Sequence, residues 1–261
     1  MTAFIGLMKK EWIIKRSWLL YGVITIFVVF IASSMFATFM GNGNIAVIPL
    51  VTVLTLQIFY VPLFLLVSLN LEGKSNLWLH TPQSTFQLLS SKLITAFYMH
   101  AILAMILGGI LFFVLSAFHK SVGYSPTSNL FLLDITLFVI VVTFLSFYFG
   151  IYVIFYWTLN ASLKRMKKLE KFRVPLMVVI IIGVNLMMSA LKNLPLYNKI
   201  MNIGVIRSTP DGMANFPFDG GNSSVYLGGE SITLGGIFIT ITFIIIVLKI
   251  SSLLLEKVVE A

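Results

Sequence analysis

Apolar residues run along this chain in long blocks separated by short polar stretches. Six blocks approach or exceed the roughly 20 residues that a membrane-spanning helix needs. They are residues 18–40, 45–69, 93–118, 130–159, 174–191 and 232–255. The fourth is longer than a span requires, so it tilts or projects beyond the bilayer, and the fifth is short. Pro49 and Pro62 lie inside the second block. Each removes a backbone hydrogen bond, so each predicts a kink.

The segments between the blocks carry their own signals. In residues 1–17, Phe4, Met8 and Trp12 share a helical face with Ile5 beside them, Lys9, Lys10 and Arg16 lie off it, and Lys15 intrudes. This pattern predicts an amphipathic helix lying along the inner membrane surface, ahead of the first span. The apolar run that follows is too long for a signal peptide, whose apolar region has about 7–15 residues. Gly41-Asn42-Gly43-Asn44 reads as a tight turn, and 119–129 as a short loop. Residues 192–231 form the longest non-membrane stretch. Within it Pro195 opens a short helix through Met201, with Leu196, Tyr197, Ile200 and Met201 as its apolar face. The remainder reads as turns and a hairpin.

The most informative polar stretch is Asn70 to Lys92, between the second and third blocks. Thr81 followed by Pro82 predicts a helix start, since a threonine hydroxyl caps free N–H groups and proline lacks an N–H where one would go unpaired. That helix would run through Phe86, Leu88 and Leu89 into the third span. Before it, Leu77, Trp78 and Leu79 cluster among polar groups. They offer enough apolar surface to dock on a partner and too little to form a core; the plainer alternative is a solvated loop with an interfacial tryptophan. Gly73-Lys74-Ser75 resembles the end of a phosphate-binding loop, but Ser68 stands where that loop needs a glycine.

Composition agrees with the blocks. The chain is 59% hydrophobic and 10% charged, against about 25% charged residues in soluble domains. It is expected to be an all-α integral membrane protein with six transmembrane helices. The net charge of +9 would suggest nucleic acid in a soluble protein, but here the placement of the cations matters more. Lys164, Arg165, Lys167, Lys168, Lys171 and Arg173 crowd the stretch between the fourth and fifth spans. With the N-terminus inside, 14 of the 18 lysines and arginines fall on the cytoplasmic side, the bias that orients membrane proteins. Both termini and Asn70–Lys92 are then cytoplasmic, and 192–231 is external. Trp12, Trp18, Trp78 and Trp157 fall near the inner surface. There is no cysteine, which excludes disulfides and thiolate metal sites.

Catalytic chemistry has little to stand on. The spans offer His100, Asp134 and Lys249 at different depths, and neither an HExxH nor a GxSxG motif occurs. No catalytic, cofactor-binding or metal site is expected. His100 reads as a hydrogen-bonded packing residue, and Asp134 as an anion near a helix N-terminus at the outer headgroups. Gln57 and Asn185 lie deep in the second and fifth spans, where an amide must be paired or wetted. They serve either as interhelical hydrogen-bonded contacts or as the wall of a polar pathway.

In this arrangement the chain resembles the ABC-2 type permeases of ABC transporters. The resemblance is carried by the N-terminal helix, the six spans, the polar stretch after the second and the long external segment after the fifth. Its local motif is Glu72, Ser75, Leu77, Leu79, Pro82 and Lys92; Gly73-Lys74 departs from the longer charged run of many members. Among them the chain resembles small permeases that export amphipathic peptides such as phenol-soluble modulins or confer peptide-antibiotic resistance. The resemblance implies a cytoplasmic coupling helix made by Glu72, Lys74, Ser75, Leu77, Trp78, Leu79, His80 and Pro82, docking on a separate ATPase. It also implies two such ATPase subunits carrying ATP and Mg, a second permease copy or paralogue, and residence in the bacterial plasma membrane. Gln57 and Asn185 would line the translocation path, and Leu196, Tyr197, Ile200 and Met201 would form an external gate. The implied function is export of a hydrophobic or amphipathic substrate, a peptide being one such class. The alternative is a non-transporting polytopic protein, either an intramembrane enzyme or an assembly scaffold.

Overall fold

The computed structural model describes residues 2–41, 44–75, 83–117, 129–166, 170–201, 203–207 and 232–256. Among them the chain forms α1 (Thr2–Met40), α2 (Asn44–Leu56), a 3-10 turn (Gln57–Phe59) and α3 (Tyr60–Ser75). These are followed by α4 (Thr85–Ala117), α5 (Asn129–Arg165), a second 3-10 turn (Glu170–Phe172) and α6 (Arg173–Lys192). The chain continues as α7 (Pro195–Met201), β1 (Val205–Arg207), β2 (Ile232–Thr233) and α8 (Leu234–Leu254). Six segments are long and apolar enough to cross a membrane, with α2 and α3 counting as one. The fold is all-α apart from the short antiparallel ribbon of β1 and β2, which pairs Val205 with Thr233 and Arg207 with Ile232.

The N-terminal segment and the first span are not separate elements. α1 is one helix of 39 residues, about 58 Å at 1.5 Å per residue, nearly twice the roughly 30 Å hydrocarbon core. Nothing between Gly6 and Gly22 interrupts helical propensity. Its opposite side carries the buried contacts. Ile5 and Trp12 are exposed, and the buried line is Leu7, Glu11 and Lys15, four residues apart and so on one side of the helix.

Contacts divide the chain into two compact units, with boundaries at Phe64/Leu65, Ser91/Lys92 and Phe149/Gly150 that fall within α3, α4 and α5. In the first unit, the core joins Ile26 and Ala37 of α1, Val47, Leu50 and Leu54 of α2, Leu103, Leu107 and Leu111 of α4, and Phe138 and Val142 of α5. Small residues let backbones approach in a bilayer. A Cβ on Gly22 would stand 2.7 Å from Leu103 Cδ1, and one on Gly108 would stand 2.8 Å from Val139 Cγ2. α1 ends at Gly41, whose φ of 68° is the left-handed conformation common after a helix.

The second unit holds the later part of α3, the start of α4, the end of α5, and α6 to α8. Trp157 Nε1 donates to Asn70 Oδ1 at 2.8 Å, and the rings of Tyr152 and Phe243 lie 6.0 Å apart. Thr85 and Ser252 hydroxyls meet at 2.8 Å, and both contact Glu256 Oε1. The end of α8 is thereby tied to the first residue of α4.

Candidate functional site

The second span contains the clearest departure from regular structure. Pro62 has no N–H to offer the Ile58 carbonyl, and its ring crowds that carbonyl. The chain answers by tightening Gln57–Phe59 into a 3-10 turn, leaving Pro62 in the first turn of α3, where proline is tolerated. Pro49 produces no such break; α2 runs through it. Within the turn, Tyr60 N–H donates to the Gln57 carbonyl. In a continuous helix, that carbonyl would instead take the Val61 N–H. Here Ser146 of α5 fills the gap: its Oγ accepts Val61 N–H at 3.3 Å and donates to the Gln57 carbonyl at 3.2 Å. One hydroxyl therefore replaces a missing helical bond at both ends, a recognised way to open a helix without orphaning its backbone.

Polar side chains gather at the same level. Gln57 is buried and Tyr60 half-buried. His100 of α4 is fully buried, with its ring 5.8 Å from that of Tyr60. His100 was expected to be hydrogen-bonded, but among the described residues neither ring nitrogen has a partner, and neither does Gln57 Oε1 or the Tyr60 hydroxyl. Tyr60 also stacks on Phe64, and Lys15 Nζ lies 5.9 Å above the Phe64 ring. One further element of this unit was hidden in the sequence. Lys92, expected at the mouth of the third span, lies two turns inside α4 and pairs with Glu11 at 2.5 Å, the two side chains being 1% and 5% exposed. The signal for this pair was Glu11 itself, one of only nine acidic residues, in a stretch that is otherwise apolar or basic from Ala3 to Arg16.

Asn185, the other amide assigned to a translocation path, is exposed on α6 and donates from Nδ2 to the Ile181 carbonyl of its own helix at 2.8 Å. Gln57 and Asn185 belong to different units. Of the residues expected to form a coupling helix, Glu72 lies half-buried in the last turns of α3 and Lys74 and Ser75 close that helix. Leu77, Trp78, Leu79, His80, Thr81 and Pro82 lie outside the described residues. The helix start expected at Thr81-Pro82 is corrected to Ser84 and Thr85: Ser84 Oγ accepts Gln87 N–H at 3.4 Å, and the Ser84 carbonyl accepts Leu88 N–H at 3.2 Å. Ser84 and Gln87 have the Ser-x-x-Gln spacing of a capping box, the signal that marks this start.

The residues expected to form an external gate lie on α7, which runs from Pro195 to Met201 as the proline predicts. Tyr197, Ile200 and Met201 are half-buried; Leu196 is in the same helix. Its end rests on the start of α8. A Cβ on Gly235 would overlap the Ile200 carbonyl, and one on Gly236 would stand 3.3 Å from Met201 Sδ. Gly235 N–H donates to the Ile203 carbonyl at 3.1 Å, Leu234 N–H to that of Gly204 at 3.0 Å, and Thr233 caps α8 by accepting Gly236 N–H at 3.1 Å. Asp134 falls in the second turn of α5. Among the described residues no three His, Cys, Asp or Glu side chains are grouped to hold a metal.

Six membrane-length helices define a multi-pass membrane protein. Over 93 residues the chain is 33% identical to YhcE, an uncharacterized protein of Bacillus subtilis; the match covers 36% of this chain and 37% of that protein. No family model and no solved structure matches.

Proposed function

We propose that this protein is the membrane-spanning permease subunit of an ATP-driven exporter of the ABC-2 type, acting in the bacterial cytoplasmic membrane. The observation that carries this reading is a short helix after the fifth span, α7, seated through Ile200 and Met201 on Gly235 and Gly236 at the start of the sixth. An element held there by a close backbone contact can move with α8, which suits a gate. The opened turn at Gln57 adds a polar point in the second span. In this reading a separate ATPase docks on Glu72, Lys74, Ser75, Leu77, Trp78, Leu79, His80 and Pro82, and force passes into the second and third spans. Nucleotide and Mg belong to that partner, two copies of which serve two permease chains. The cargo is hydrophobic or amphipathic.

The test is recovery of an ATPase with the solubilised protein. A buried aromatic anchor often contributes about 2 kcal/mol or more to an interface, roughly thirtyfold in affinity. Trp78→Ala should therefore reduce ATPase recovery from membranes with equal amounts of each permease, and abolish transport. Equal recovery with full transport would remove the coupling assignment. Absence of any co-purifying ATPase from wild-type membranes would favour a non-transporting membrane protein instead.

A further inference from the structure

We infer that the stretch joining α5 to α6 is a binding surface for anionic phospholipid headgroups. Residues 164–173 carry Lys164, Arg165, Lys167, Lys168, Lys171 and Arg173 against the single carboxylate of Glu170. Lys164 and Arg165 close α5, Lys171 sits in the second 3-10 turn, and Arg173 opens α6. The first three are exposed and Arg173 is half-buried. Among the described residues these four cations make no ion pair, the salt bridge found there being that of Lys92 with Glu11. Their charge is left for a partner outside the chain.

Helix length puts these cations at the bilayer surface. α6 has 20 residues, about 30 Å at 1.5 Å per residue, which matches the hydrocarbon core. Between Arg173 and Lys192 it has no charged residue, so its two ends reach opposite headgroup layers. Lys171 is two residues from Arg173, at most about 7 Å of extended chain. On α5 the apolar block ends at Leu159, and Lys164 follows about 8 Å further along the helix. That is about one Debye length at physiological ionic strength, and long basic side chains can reach back toward the surface. Met166 and Phe172, 40% and 64% exposed, stand among the cations. Apolar and basic side chains interleaved at this level suit an anionic layer with apolar depth beneath it. Lipid phosphates are already within reach of these cations, so a soluble polyanion would have to displace them. Each cation beside an anionic leaflet strengthens the attraction by about fivefold. The surface does not depend on the exporter reading, since it is measurable in the isolated protein and would stand if no ATPase were ever recovered.

The chain has no cysteine, so a single thiol can carry a local reporter. The full chain with Phe172→Cys, labelled with a nitrobenzoxadiazole fluorophore, is placed in phosphatidylcholine nanodiscs. Nitroxide-bearing phosphatidylglycerol or nitroxide-bearing phosphatidylcholine is then titrated in as quencher. Both leaflets of a nanodisc have the same composition, so the result does not depend on orientation. Half-quenching should need an at least about fivefold lower mole fraction of the anionic lipid. The same label on Phe39→Cys, 84% exposed and with no charged residue within ten positions, should show little preference. Replacing Lys164, Arg165, Lys171 and Arg173 together by glutamine should abolish the preference at position 172. In 1 M sodium chloride, where the Debye length falls to about 3 Å, the preference should shrink at least about twofold. The salt result is read with every cation in place and decides the matter if the fourfold variant does not fold. Equal quenching by the two lipids at position 172 overturns the proposal and leaves the cations to an acidic protein face. An equal preference at positions 39 and 172, a preference that survives in a folded fourfold variant, or one indifferent to salt overturns it as well.

Discussion

Removing one partner of the Lys92–Glu11 pair is the most informative perturbation of this fold. The two side chains are 1% and 5% exposed and meet at 2.5 Å, so water screens them little. Lys92→Met leaves the Glu11 carboxylate buried without that partner. Breaking a buried pair in this way costs about 3–5 kcal/mol, whereas replacing both members with apolar groups is often close to neutral. Lys92→Met should therefore lower the folded-to-unfolded ratio by roughly two to four orders of magnitude. Glu11→Leu should be as severe, because the buried Lys92 ammonium then loses this carboxylate. The double variant Glu11→Leu with Lys92→Met should recover much of the loss. The assay is denaturant unfolding in mixed micelles followed by the fluorescence of Trp12 and Trp18, with the four variants forming a double-mutant cycle. Losses that simply add, with no recovery in the double variant, would refute the argument that the pair is a coupled buried contact joining α1 to α4.

Other outcomes follow from the same structure. Ser146→Ala should destabilise the protein by about 1–3 kcal/mol by orphaning the Val61 N–H, and adding Pro62→Ala should relieve this because a regular helix can then close; unfolding midpoints measure both. Gly235→Ala should displace α7 from α8, since the new methyl meets the Ile200 carbonyl, and faster proteolysis of the segment after α6 would report it. Thr85→Val and Glu256→Leu should have effects that do not add, because both groups belong to one hydrogen-bonded cluster with Ser252. An impermeant thiol reagent should label Asn222→Cys and spare Lys168→Cys in intact cells, as the cation bias requires; the reverse pattern would invert the topology.

Hydropathy by itself determined the number of spans, the all-α class and the short helix opened by Pro195. These follow from one local requirement: a backbone in lipid must satisfy its own hydrogen bonds, and only an apolar helix of sufficient length does so cheaply. Hydropathy says where lipid ends, and it says much less about where a helix ends. Asn70–Ser75 and Thr85–Lys92 are polar, but their glutamate, lysine and leucine residues are good helix formers. α3 therefore continues past the apolar block to Ser75, and α4 begins at Thr85, ahead of the third block, as the helix expected through Phe86, Leu88 and Leu89 requires. The tertiary structure decided which side of each helix is buried. A buried Lys15–Glu11 line looks wrong on a helical wheel, because the wheel cannot show that Lys92 waits on another helix. It decided likewise between two prolines of equal appearance. Pro49 passes unnoticed near the start of its helix, while Pro62 opens a turn because Ser146, 85 residues away from Val61, is placed to fill the gap. Partners distant in sequence leave no periodic trace, so the polar centre of this protein could only be found once the helices were packed.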